Sequence, residues 1–192
     1  MEKQLYIVAG CNGAGKTTAS YTILPEILQC KEFVNADEIA RGLSPFNSES
    51  VAIEAGRLML QRIEELLQRG ESFSIETTLA TKSYANLVYR AQASGYRVNL
   101  IFFWLESTDL AIQRVAERVR NGGHDIPVQT IKRRYVAGIN NLINIYADIV
   151  DYWSAFDNSR NPRMLIATGG KDSGIVIANE VLYQKLKQYV KF

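Results

Sequence analysis

The sequence predicts an α/β fold three layers deep, with a parallel sheet of about five strands covered by helices on both faces. Three observations carry the prediction. Short apolar runs recur at residues 5–9, 33–34, 73–75, 98–105 and 164–167, and the stretches between them have helical periodicity. The first run passes directly into a glycine-rich turn and then into a helix-compatible segment. The chain has 192 residues with 47% hydrophobic content, enough for one continuous core, so residues 1–192 are expected to form a single domain.

The turn after the first strand reads G-C-N-G-A-G-K-T from Gly10 to Thr17, a complete G-x-x-x-x-G-K-[ST] pattern. Such a loop curls successive backbone N–H groups around phosphate, which makes Gly10, Cys11, Asn12, Gly13, Ala14, Gly15, Lys16, Thr17 and Thr18 the expected nucleotide-binding residues. Lys16 would reach the terminal phosphates of ATP, and the Thr17 hydroxyl would face Mg²⁺. The architecture expected is therefore that of a P-loop nucleoside-triphosphate kinase.

The second run, at 33–34, ends in Asn35-Ala36-Asp37-Glu38, and the third, at 73–75, ends in Glu76-Thr77-Thr78. In parallel sheets the chemistry gathers at the carboxyl ends of strands, so Asp37 and Glu76 are candidate acid/base or substrate-orienting groups and Asn35 a candidate substrate contact, while Thr77 and Thr78 taken alone read as β-prone residues ending a strand. Asp37 also precedes a helix-like run at 38–41, so helix capping is the competing role. Between these strands, residues 52–68 form the clearest helix, with an apolar stripe through Ile53, Gly56, Met59, Leu60, Ile63 and Leu66, ending at Gly70. Further helices are expected at 83–93, 108–120, 128–146 and 175–189.

Residues 114–135 read as a helical lid. Arg118 and Arg120 fall late in one helix and Arg133 and Arg134 early in the next, with Asn121-Gly122-Gly123 and Pro127 as a hinge between them. Guanidinium groups carried by a closing lid can neutralise the charge spread over a transferring phosphoryl group. His124, the single histidine, is expected to cap the lid. After the last run, Thr168-Gly169-Gly170 is a candidate base-binding loop, while Tyr152, Trp153 and Phe156 read as core aromatics.

Bulk properties exclude some functions. A formal charge of +2 gives no polybasic field for nucleic acid, and no apolar run approaches the roughly 20 residues of a membrane span. Met1-Glu2-Lys3-Gln4 leads into a strand instead of a signal peptide, so a cytoplasmic protein is expected. Cys11 and Cys30 make neither a metal cluster nor a disulfide framework, and a small, reduced Cys11 is favoured over a redox brake on the loop.

Taken together, the phosphate loop, N-A-D-E-I-A-R-G-L from Asn35, Glu76-Thr77-Thr78, and R-V-x-x-R-V-x-x-G-G-H-x-I-P from Arg114 resemble the zeta-toxin-like ATPases over residues 5–167. The resemblance implies the kinase half of a toxin–antitoxin pair that phosphorylates UDP-N-acetylglucosamine on a sugar hydroxyl. It implies Asp37 as general base, Glu76 and Thr78 as sugar contacts, and Lys16 with one arginine from each side of the lid as stabilisers of transfer. Arg118 or Arg120, with Arg133 or Arg134, satisfies that pattern. No inhibitor segment precedes the first strand, so any antitoxin is expected to be a separate protein. A metabolite kinase of the gluconate or shikimate type and a nucleotide-dependent switch ATPase acting on a protein partner are the alternatives.

Overall fold

In the computed structural model, which describes residues 2–190, one sheet of seven strands runs through the molecule. In chain order the strands are β1 (Lys3–Gly10), β2 (Glu32–Val34), β3 (Phe73–Thr77), β4 (Tyr96–Trp104), β5 (Tyr152–Asp157), β6 (Met164–Gly170) and β7 (Ser173–Ile177). Their spatial order is β2-β3-β1-β4-β5-β6-β7. The first five in that order are parallel, whereas β6 and β7 join antiparallel. The sheet thus holds more strands than the five expected, and two assignments change. The run at 164–167 is antiparallel, and the fifth parallel strand is Tyr152–Asp157, whose aromatics do face the core at Trp153. Residues 173–177, partly assigned to a final helix at 175–189, form a β-branched edge strand, and the helix starts only at Glu180 with Asn179 accepting from the Leu182 N–H as its cap.

Helices α1 (Lys16–Thr22), α2 (Ala36–Leu43), α3 (Ala52–Arg69), α4 (Tyr84–Ala93), α5 (Thr108–Arg120), α6 (Val128–Asn144) and α7 (Glu180–Lys187) complete the layers. β1 is the middle of the five parallel strands, and Leu5, Ile7, Val8 and Ala9 are apolar on both faces, as a strand covered on both sides must be. Leu5, Ile7 and Val8 each contribute about 1.5–3 kcal/mol on burial. α6 is tied to the turn after β3 by Asn141 Nδ2 donating to the Leu79 carbonyl at 2.8 Å and by Tyr146 Oη, just beyond the helix, donating to the Thr81 carbonyl at 3.0 Å. α6 is thereby anchored to the end of the sheet that carries Glu76. None of the described helices is long and apolar enough to cross a membrane.

At the opposite end of the sheet, Asp151 fastens β4 to the β6–β7 turn. Its carboxylate accepts from Lys171 Nζ (2.7 Å), the Val98 N–H (2.8 Å) and Gln92 Nε2 (3.0 Å). Burial alone would raise its pKa, but these three donors outweigh it and hold the group below its ordinary value. A depressed carboxyl adds stability above its unfolded value near 3.8 that is lost as pH falls through the folded one. Asp151→Asn is expected to cost about 2 kcal/mol at pH 7, with the gap to the parent closing below about pH 4. Urea melts of both proteins at several pH values check this.

Candidate active site

The phosphate loop is built where β1 gives way to α1. Gly10 sits at φ 141°, and a Cβ there would lie 2.2 Å from the Phe103 carbonyl oxygen on β4. Gly15 takes a left-handed φ of 79°, and its Cβ would meet Asn158 Nδ2 at 2.8 Å. The loop is held from outside. Asn158 Nδ2 donates to the Ala14 carbonyl at 2.8 Å, and Arg114 fixes the Asn158 and Ser159 carbonyls at 2.9 and 2.8 Å. Arg114 is therefore a brace for the loop. Neither it nor Asn158 has a local sequence signal, because the 144-residue separation of Asn158 from Ala14 is closed only by the fold.

Lys16 is buried, donating to the Cys11 carbonyl at 3.1 Å and lying 3.6 Å from Glu76. Glu76 also accepts from Thr17 Oγ1 at 2.8 Å and from Asn35 Nδ2 at 2.9 Å. Burial raises the Glu76 pKa, with Lys16 and Thr17 opposing and Asp37 adding to the rise. The Cys11 thiol is pushed up to about 11 by burial, which keeps it a thiol at neutral pH and argues against a redox-brake role.

Asn35, expected as a substrate contact, lines the cleft and has both ends of its side chain engaged within the protein. Its Nδ2 holds Glu76, and its Oδ1 accepts from the Asp37 N–H at 2.8 Å as the N-cap of α2. Asn35 rather than Asp37 caps the helix, which leaves the Asp37 carboxylate free to face the cleft. Lys16, Asp37, Glu76, Thr78 and Arg134 all line one cleft of about 790 Å³ that continues between α3 and α4.

The lid arginines divide cleanly. Arg118, on α5, lines a second hollow with Thr17 and Asp37 and donates to the His124 carbonyl at 3.0 Å. Arg134, on α6, donates to Asn12 Oδ1 at 3.3 Å. Arg120 and Arg133 lie outside the hollows that Arg118 and Arg134 line. Arg120 is exposed at the end of α5, and Arg133 faces a separate groove with Lys82 and Lys132. The turn between α5 and α6 brings His124 Nε2 to 3.9 Å from Asp37 Oδ2. The Gly169-Gly170 base loop is also corrected. Because β6 runs antiparallel, Gly169 pairs with Trp153 at the start of β5, at the end of the sheet away from the phosphate loop.

A parallel sheet with β1 flanked by β3 and β4, a phosphate loop after β1 and carboxylates at the ends of β2 and β3 defines a kinase-like P-loop fold. A zeta-toxin family model matches residues 1–160, and the chain belongs to that family. It is 27% identical over 135 residues to an uncharacterized protein of Haemophilus influenzae, a match covering 70% of this chain and 94% of the relative. Among solved structures it is similar to the AvrRxo1-ORF1:AvrRxo1-ORF2 complex, with a TM-score of 0.76 at 18% identity. That match covers 96% of this chain but spans only 63% of the other, and the same pair is also known with ATP. The PezAT toxin–antitoxin system of Streptococcus pneumoniae matches with a TM-score of 0.67 at 17% identity, covering 98% of this chain and 78% of that one.

Proposed function

We propose that the protein transfers the γ-phosphoryl group of ATP to a hydroxyl of a small acceptor, with UDP-N-acetylglucosamine as the first candidate. The observation that carries this reading is the convergence of Lys16, Asp37, Glu76 and Arg134 on one cleft beside the phosphate loop. In it, Asp37 accepts the proton of the acceptor hydroxyl as the new P–O bond forms. Lys16 leaves the Cys11 carbonyl and Glu76 to meet the terminal phosphates. Arg118 and Arg134, from the two sides of the lid, offset the charge on the transferring group. His124 closes the cleft above Asp37, which limits water as a competing nucleophile.

Thr17 Oγ1 and Glu76 supply hard oxygen donors 2.8 Å apart, a set suited to Mg²⁺, which when bound neutralises the β- and γ-phosphates. This reading moves Glu76 from the sugar, where the resemblance put it, to the metal side, and leaves Thr78 with the acceptor. A separate antitoxin protein and a cytoplasmic location belong to the same proposal.

The lid assignment has a direct test. Arg118→Ala or Arg134→Ala is expected to lower kcat/KM on the order of 10³-fold, while Arg120→Ala and Arg133→Ala stay within about threefold, as solvated charges should. Steady-state kinetics on the four variants decide it. For the function itself, ATP consumption is expected to require the acceptor and to match phosphorylated product one for one. Hydrolysis stimulated by a protein partner, without a phosphorylated small molecule, would instead support the switch ATPase.

A further inference from the structure

α6 carries Lys132, Arg133 and Arg134 in succession and no acidic residue anywhere in its 17 residues. Of the three, only Arg134 lines the cleft beside the phosphate loop. Lys132 and Arg133 line a separate groove of about 660 Å³, where Lys82 joins them from the turn between β3 and α4. The rest of the lining is aliphatic residues and three asparagines, with no acid and no aromatic ring.

The three cations are exposed, and none of them has an ion-pair partner among the described residues. With 22 basic and 20 acidic residues in the chain, the cluster is a local concentration and not the spill-over of a large overall excess. Like charges gathered in one concavity repel one another and raise the local concentration of anions. The groove is also held in shape. Asn141 Nδ2 donates to the Leu79 carbonyl and Tyr146 Oη to the Thr81 carbonyl, so the turn bearing Lys82 is tied to α6 and its end. A docking anion therefore meets walls that are already ordered, which lowers the entropic cost of binding.

Shape narrows the class of anion. Residues 132, 136, 140 and 144 recur every fourth position and form one stripe of the helix, about 18 Å long from Lys132 to Asn144. Charge is confined to the start of that stripe. Beyond it lie half-buried Val136 and Ala137 and then the asparagines. A small free anion would cover the charged end alone. Single-stranded nucleic acid is disfavoured because the groove offers no ring on which a base can stack, and a duplex would meet only three cations.

We propose that this groove docks an acidic segment of a partner protein, with carboxylates at Lys82, Lys132 and Arg133 and a small apolar side chain over Val136 and Ala137. The surface lies outside the nucleotide and acceptor cleft, so the inference stands apart from the kinase reading. Charge complementarity of this kind sets partner choice and association rate, and weakens with salt.

The test is fluorescence anisotropy of the whole chain with a labelled peptide of about 14 residues, in which a cluster of glutamates is followed by alanine and leucine. At about 50 mM salt the parent should bind it. Lys82→Gln, Lys132→Gln and Arg133→Gln combined should weaken binding about tenfold or more. Lys31→Gln, Arg97→Gln and Lys185→Gln combined, which remove the same charge from exposed positions elsewhere, should stay within about twofold. Reversal of the three groove positions to glutamate should gain binding of the same peptide with lysine in place of glutamate, a result that a misfolded variant could not give. Absence of binding by the parent, equal affinity of the parent and the groove variant, or a deoxythymidine oligonucleotide bound at the groove more tightly than the peptide would overturn the inference.

Discussion

Asp37→Asn is expected to lower the turnover of phosphoryl transfer by about 10²- to 10⁴-fold while ATP affinity stays within about twofold. The expectation follows from what Asp37 does not do. Its backbone N–H is bonded to Asn35 Oδ1, and Asn35, not Asp37, caps α2, so the substitution leaves the helix terminus intact. The carboxylate faces the cleft with His124 Nε2 at 3.9 Å, and asparagine keeps the shape while losing the ability to accept a proton. Loss of ATP affinity in parallel with turnover would place Asp37 in nucleotide binding and contradict the assignment. Single-turnover kinetics with an independent ATP-binding measurement separate the two.

Lys16→Met has the other large effect, and on two properties at once. Removing a preorganised cation from the transferring phosphates should reduce transfer on the order of 10³-fold. It also leaves Glu76 without its charged partner in a site where the Lys16 and Glu76 side chains are 7% and 9% exposed, a loss of about 3 kcal/mol by analogy with other broken buried pairs. The pH dependence has a definite sign. Burial makes Glu76 hold its proton more tightly in the folded chain than in the unfolded one, so stability declines as pH rises from the unfolded value near 4.5 through the folded one. Lys16→Met removes one of the groups that oppose this rise, so its deficit against the parent should be smallest at acid pH and grow toward neutrality. Chemical denaturation at several pH values reads the effect. A deficit that shrinks as pH rises would show that Lys16 does not stabilise the ionised carboxylate.

Much of the site was legible because local pattern sufficed for it. The phosphate loop, the carboxylates closing two apolar runs and the α3 stripe all stand in short stretches of chain, and the fold brings them to one end of the sheet. Strand direction is not written locally, which is why the run at 164–167 passed for a parallel strand and Gly169 and Gly170 were placed at the wrong end. Which of the four arginines at 118–134 point inward follows from helix phase, a signal the sequence reading left unused. Two residues correspond to about 200° around a helix, so Arg118, three residues beyond buried Val115, continues the inward face while Arg120 points away. In α6, Arg134 lies between buried Ile131 and Gly138 at helical spacing, and Arg133 is turned outward. The brace made by Arg114 and Asn158 and the double use of Asn35 depend on contacts across the fold that no local signal announces.

The central claim is that this cleft moves a phosphoryl group from ATP to an acceptor hydroxyl with Asp37 as base. Mass spectrometry of products, after the parent and Asp37→Asn are incubated with Mg²⁺-ATP and UDP-N-acetylglucosamine, tests it most directly. A phosphorylated nucleotide sugar from the parent, absent from Asp37→Asn at equal ATP affinity, is the result predicted. Equal product from both proteins, or ADP and free phosphate with no phosphorylated acceptor from the parent, would contradict it.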